Sequence, residues 1–160
     1  MAGWDITFSP PKSSSALWAI APDGIAEEVR EADRVARRIG LAQFERYACV
    51  ARLGRNGTDR QPGLGFLAAA YEHRCSRDGD PQLHTHEVIA NAVETADGRR
   101  AALDGTMLYR WQQAADAVYQ AALRAELTAH LGLTWTLRAE LWEIDGIPPR
   151  CAGCGPNAAR

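Results

Sequence analysis

The sequence predicts an α+β fold in which helices flank an antiparallel sheet. Three observations carry this expectation. Two segments of strand character, Phe66 to Cys75 and Gln82 to Val93, are joined by Ser76-Arg77-Asp78-Gly79-Asp80-Pro81. The Asp-Gly and Asp-Pro steps in that connection favour a tight turn, so the two segments are expected to pair as a hairpin. Two apolar stripes with helical spacing flank it: Ile25, Val29, Ala32, Ala36 and Ile39 before, and Leu108, Trp111, Ala115, Val118, Ala122 and Ala125 after. The order strand, helices, strand pair, helix, strand pair lacks the regular strand–helix alternation of a parallel sheet.

Along the chain, Trp4 to Phe8 alternates with aromatic and β-branched content and reads as a strand. Ser9-Pro10-Pro11 ends it, and Lys12 to Ile20 is expected to form a short helix. Ala21-Pro22-Asp23-Gly24 reads as a turn with Asp23 as the cap of the next helix, whose stripe continues past Gly40 through a kink to Phe44, Tyr47, Ala48 and Ala51. Leu53 to Gly65, with four glycines and a proline, reads as a flexible loop. Asp97-Gly98 marks another turn, and Gly132 stops the last helix. Leu133 to Leu137 and Leu141 to Ile144 are short candidate strands. One domain over residues 1–148 is expected, with residues 149–160 a disordered or aberrant tail.

The chain has 160 residues, 46% hydrophobic and 24% charged, which suits one globular domain and excludes a disordered or collagen-like chain. No apolar run approaches the roughly 18 residues of a membrane span. No basic region followed by an apolar stretch opens the chain, so a cytoplasmic location without membrane association is expected. The net charge of −2 gives no global case for a nucleic-acid partner, which must rest on a local site. Lys12 is the one lysine among 18 basic residues. Cys49 and Cys75 sit in apolar patterns and read as buried thiols. Cys151 and Cys154 form a lone C-x-x-C without the further ligands of a zinc site.

Chemistry concentrates in the histidines. His84 and His86 share one face of a strand because side chains alternate. A turn symmetric about residues 78 and 79 pairs positions whose numbers sum to 157, which sets His73 opposite His84 and Tyr71 opposite His86. A one-residue slip would send His73 to the other face. Three imidazoles on one face suit a transition metal, and three protein nitrogens leave coordination positions open for water or a phosphate oxygen. His130, near a helix end, reads as a dipole partner. Phosphate-binding G-x-x-x-x-G-K and G-x-G-x-x-G patterns and a G-x-S-x-G elbow are absent.

Gly3-Trp4-Asp5-Ile6-Thr7-Phe8-Ser9-Pro10-Pro11-Lys12-Ser13 and Gly79-Asp80-Pro81-Gln82-Leu83-His84-Thr85-His86 resemble the paired motifs of conjugative relaxases of the TrwC/TraI (MobF) type. Glu72-His73-Arg74 and Ala102-Leu103-Asp104-Gly105 fit the same pattern, so the resemblance covers roughly residues 3 to 148. It implies an HUH endonuclease palm, a sheet carrying a divalent metal ion (Mg, Mn or Zn) on His73, His84 and His86. It implies a catalytic role for Asp5 beside the metal; Lys12, Arg74 and Arg77 are nucleic-acid-binding candidates on their charge alone, set against a reading as solvated cations. The implied activity is DNA strand nicking and transesterification. Single-stranded DNA with an adjacent hairpin at an origin of transfer is the implied partner, together with relaxosome proteins.

The family's nucleophilic tyrosine lies upstream of the Asp5 motif. None of Tyr47, Tyr71, Tyr109 and Tyr119 matches it. The expectation is a relaxase fragment lacking its first N-terminal elements and inactive alone; the alternative is a non-catalytic metal-binding or DNA-binding remnant.

Overall fold

The computed structural model describes residues 1–147. The tail and the C-x-x-C pair lie outside the described residues. Within them, the α+β architecture is as expected, with strands paired antiparallel and three helices.

The first sheet has the order β1-β5-β4, built from β1 (Gly3–Phe8), β4 (Ala68–Cys75) and β5 (Pro81–Ala90). Its two faces differ in character because side chains alternate. Phe8, Leu83, Thr85, Glu87 and Ile89 are buried on one face, while Asp5, Thr7, His84, His86 and Val88 belong to the other. The inner face is covered by α2 (Asp23–Ala48) and α3 (Gly105–Leu131). Val29, Ala32, Ala36, Gly40, Phe44 and Ala48 of α2 face Ala115, Tyr119, Leu123 and Leu127 of α3 in this core. Burial of the larger of these side chains, Val29, Phe44, Leu123 and Leu127, contributes about 1.5–3 kcal/mol each and ties both helices to the sheet.

Inside this apolar layer sits one ion pair. Arg37 of α2 bonds the carboxylate of Glu87, which is 2% exposed. Arg30 and Arg34 reach Glu72 of β4 at the sheet's margin. The polar face of α2 is thereby aligned with the hairpin that carries the histidines.

Helix α1 (Lys12–Ile20) explains the serine run. Ser13, Ser14 and Ser15 are fully buried. The Ser15 hydroxyl accepts from the Leu83 amide at 3.1 Å, and the Ser13 hydroxyl accepts from Ile144 at 2.8 Å. Glu143 in turn accepts from the Ser13 amide at 2.9 Å, a carboxylate at the positive end of the helix. These bonds hold the start of α1 against both β5 and the terminal hairpin β8 (Trp135–Arg138) and β9 (Leu141–Ile144).

Four local expectations are corrected. Leu53 to Gly65 is no loop: β2 (Val50–Leu53) and β3 (Asp59–Pro62) form a hairpin turned through a short 3-10 segment. With β6 (Val93–Glu94) and β7 (Arg100–Leu103) they make a second sheet of order β3-β2-β7-β6. Helix α2 runs through Gly40 unbroken, because that glycine serves close packing; a Cβ there would lie 2.9 Å from the Tyr119 Cβ. Asp23 is the first helical residue, preceded by Pro22 as the cap, and its side chain makes no capping bond. Cys75 ends an edge strand and is exposed, whereas Cys49 is buried as expected. Burial pushes the Cys49 thiol up to about 11. The predicted stop at Gly132 stands: it adopts φ 65°, the left-handed conformation glycine takes without strain.

Candidate metal centre

The outward face of the first sheet assembles from its registers. On β4 and β5, His73 pairs with His84 and Tyr71 with His86, before a bulge between His73 and Cys75. On the other side Thr7 pairs with His86 and Asp5 with Val88. The three strands therefore lay down a row Thr7, His86, Tyr71, flanked on one side by His84 and His73 and on the other by Asp5, Val88 and Ala69.

The imidazoles converge. Ring centroids of His73 lie 5.0 Å from both His84 and His86, and those of His84 and His86 are 5.3 Å apart. One ligand nitrogen from each lies within 4.8 Å of the others. Two of the rings are oriented by the chain itself. Nδ1 of His86 is 2.9 Å from both Asp5 carboxylate oxygens and 3.1 Å from Thr7 Oγ1. Nδ1 of His84 is 3.1 Å from the Gln82 carbonyl oxygen. A carboxylate and a carbonyl only accept, so both rings carry their proton on Nδ1 and leave the Nε2 lone pair free to coordinate.

The donor set fits a divalent transition metal. Three neutral imidazoles form an incomplete shell, which leaves room for an oxygen ligand from outside the protein. Asp5 and the Gln82 carbonyl supply the outer partners that hold such ligands in orientation and raise their basicity.

Of the other sequence candidates, Lys12 opens α1 and donates from Nζ to Gln82 Oε1 at 3.2 Å, two residues from His84. Arg74 follows His73 at the bulge and lines a small hollow with Asp33 and Glu72. Arg77 lies in the turn that joins β4 to β5. His130 is in the last turn of α3 within 3.5 Å of Glu126. Sequence reasoning missed Thr7 and the Gln82 carbonyl. The alternation of Asp5 and Thr7 on one strand was visible, but their meaning depends on β1 lying beside β5.

Three of the tyrosines have places in the packing. Tyr119 is fully buried and its hydroxyl donates to Asp33 at 2.5 Å; burial raises the phenol well above its ordinary value. Tyr47 stacks on Trp111 and Tyr109 meets Trp4 edge to face. Tyr71 lies on the histidine face and is 55% exposed.

Comparison with known proteins agrees with this geometry. A family described as TrwC relaxase matches residues 1–153. The multifunctional conjugation protein TraI of Escherichia coli is 31% identical over 99% of this chain. TraI of strain K12 is 30% identical over 91%. The chain spans only 9% of the length of each of these relatives. Among solved structures, a metal-bound conjugative relaxase TrwC in complex with oriT DNA superposes with a TM-score of 0.82 and 32% identity. That match covers 92% of this chain and 50% of the relaxase. A copper-bound TrwC complex with oriT DNA gives 0.79 at 34% identity, over 89% of this chain and 48% of the other.

Proposed function

The chain belongs to the TrwC relaxase family, and from that premise we propose that its histidine face grips a phosphodiester of single-stranded DNA through a divalent metal. In this reading it is the metal-bearing part of a relaxase that nicks one strand at an origin of transfer by transesterification. The observation that carries the reading is the convergence of His73, His84 and His86 within 4.8 Å on an open sheet face, with Asp5 on the Nδ1 of His86.

His73, His84 and His86 would hold the ion, and nitrogen donors favour Mn or Zn over Mg. When bound, it supplies Lewis-acid polarisation of a phosphate oxygen. Asp5 fixes the ring plane and tautomer of His86, and Thr7 adds a second oxygen at the same nitrogen. Lys12 brings an ammonium to the β5 side of the triad, where a DNA backbone charge would be met; Arg74 and Arg77 extend that positive edge along the hairpin. The relaxase's DNA hairpin and relaxosome proteins are partners in the same reading, which places the chain in the cytoplasm. Among the described residues no helix is long and apolar enough to cross a membrane.

No tyrosine of this chain is assigned as nucleophile. Tyr119 is buried on Asp33, Tyr47 and Tyr109 each meet a tryptophan ring, and Tyr71, on the metal face, does not match the family's nucleophile motif, which the resemblance puts upstream of Asp5. Polarising a phosphate leaves the reaction without an in-line attacking group. The 160-residue polypeptide is therefore expected to bind DNA without cleaving it.

The test is fluorescence anisotropy of labelled single-stranded DNA, with Mn and with chelator. Mn should tighten binding to the unaltered chain and have no effect on the His84→Ala, His86→Ala double variant. Equal Mn enhancement in both would overturn the reading. In parallel, a denaturing gel should show no covalent protein–DNA adduct. A protease-sensitive shifted band that disappears in Tyr71→Phe would assign the nucleophile to Tyr71.

A further inference from the structure

We propose that Tyr71 and the apolar shelf beside it form a nucleobase platform, taking the base next to the phosphate held at the triad. The inference rests on the DNA-binding reading above and names a further contact within it.

The histidine face is divided. Its polar half carries the three imidazoles, Asp5 and Thr7. Its other half is apolar: Gly3, Leu67, Ala69, Val88 and Ala90 border a hollow of about 340 Å³, with Leu67 69% and Val88 40% exposed. Tyr71 stands at the boundary. It is the direct cross-strand partner of His86 and lies two residues from both His73 and Ala69 on the same face. Cross-strand partners have Cβ atoms about 4.5–5.5 Å apart, so the ring begins within one nucleotide of the triad.

Tyr71 also differs from the other three tyrosines. Each of those has an aromatic or hydrogen-bonding partner within the chain. Among the described residues Tyr71 has neither, although it is more than half exposed on an edge strand. Of its two same-face neighbours on β4, Ala69 has no side chain long enough to cover the ring, and His73 converges on the other two imidazoles. An exposed aromatic continuous with an apolar shelf marks a contact surface.

A nucleotide has the matching division. Its phosphate is a hard anion suited to the metal and Lys12, and its base presents a flat π face suited to a phenol ring over aliphatic side chains. Stacking is sequence-tolerant because every base has such a face, so the platform would grip the strand without selecting its sequence.

The experiment uses the 160-residue chain with saturating Mn and two labelled oligomers of equal length and charge. One is oligothymidylate and the other a base-free tetrahydrofuran–phosphate chain. Tyr71→Ala should bind oligothymidylate about tenfold more weakly than the unaltered chain, the size of one lost stack. Tyr71→Phe should stay within about twofold, since the ring is kept. Neither variant should change binding of the base-free chain, and calorimetry should show the same Mn affinity for all three proteins. The platform is overturned if Tyr71→Ala binds oligothymidylate like the unaltered chain, if it loses as much on the base-free chain, or if Tyr71→Phe is as weak as Tyr71→Ala. An unaltered chain that binds Mn but neither oligomer overturns the DNA-binding reading and the platform with it.

Discussion

Asp5 and His86 belong to adjacent antiparallel strands but are not register partners, since Thr7 lies opposite His86 and Val88 opposite Asp5. The Asp5 side chain nevertheless reaches diagonally along the sheet, placing both carboxylate oxygens 2.9 Å from the same ring nitrogen. A diagonal neighbour about 7–8 Å away at Cα is within reach of a carboxylate and an imidazole extending towards each other. The first strand is thereby coupled to the hairpin that carries all three histidines.

The coupling predicts that Asp5→Asn weakens metal binding without unfolding the protein. The amide has one oxygen in place of a charged pair, so it orients the ring less well and no longer raises its basicity. Loss of such an outer partner reduces metal affinity by about 10- to 100-fold. Titration calorimetry with Mn checks it. The melting temperature in chelator should be nearly unchanged, because the Asp5 side chain is 55% exposed.

The buried pair of Arg37 and Glu87 makes a stability prediction. Arg37→Met leaves the Glu87 carboxylate buried and unpaired between helix and sheet. It should destabilise by about 3–5 kcal/mol, whereas Arg37→Met with Glu87→Leu should recover most of that loss. Urea unfolding measures both. A double variant less stable than the single would contradict the ion-pair explanation.

Asp33 makes a pH prediction. Burial raises its carboxyl above the usual range, against the opposing effects of the Tyr119 hydroxyl and the Arg37 guanidinium. A carboxyl raised in the folded state binds its proton more tightly there than in the unfolded chain. Its favourable contribution is complete below the unfolded value of about 3.9 and is lost as pH rises through the folded value. The stability of the unaltered chain relative to Asp33→Asn should therefore fall as pH rises from acid towards neutral. A difference constant with pH would contradict it.

The histidine hairpin was legible in the sequence because two strong rules overlap there. Strand alternation puts His84 and His86 on one face, and a short Asp-Gly turn ties His73 to the same row. The bulge falls between His73 and Cys75, on the turn side of the histidine row, and so leaves the pairing of His73 with His84 intact. The second sheet was illegible for a local reason. Its first turn uses Gly54, Asn56 and Gly57 at positive φ, and Gly63 is needed because a Cβ there would lie 2.2 Å from Val93. Glycines required by a tight hairpin and by close packing look, in sequence, like a flexible loop. Gly40 misled in the opposite way, reading as a kink where the helix needs only space against Tyr119 and Phe8. The shared environment of Asp5, Thr7 and His86 depends on strand order, which residues about 80 positions apart do not reveal by spacing.

One face of the three-stranded sheet is expected to hold a single divalent ion on His73, His84 and His86. Titration calorimetry of Mn into the metal-stripped 160-residue chain tests it most directly. The unaltered chain should show one site per molecule, and the His84→Ala, His86→Ala double variant none, with circular dichroism confirming that both are folded. Equal Mn binding by the two folded proteins would place the ion elsewhere and contradict the claim.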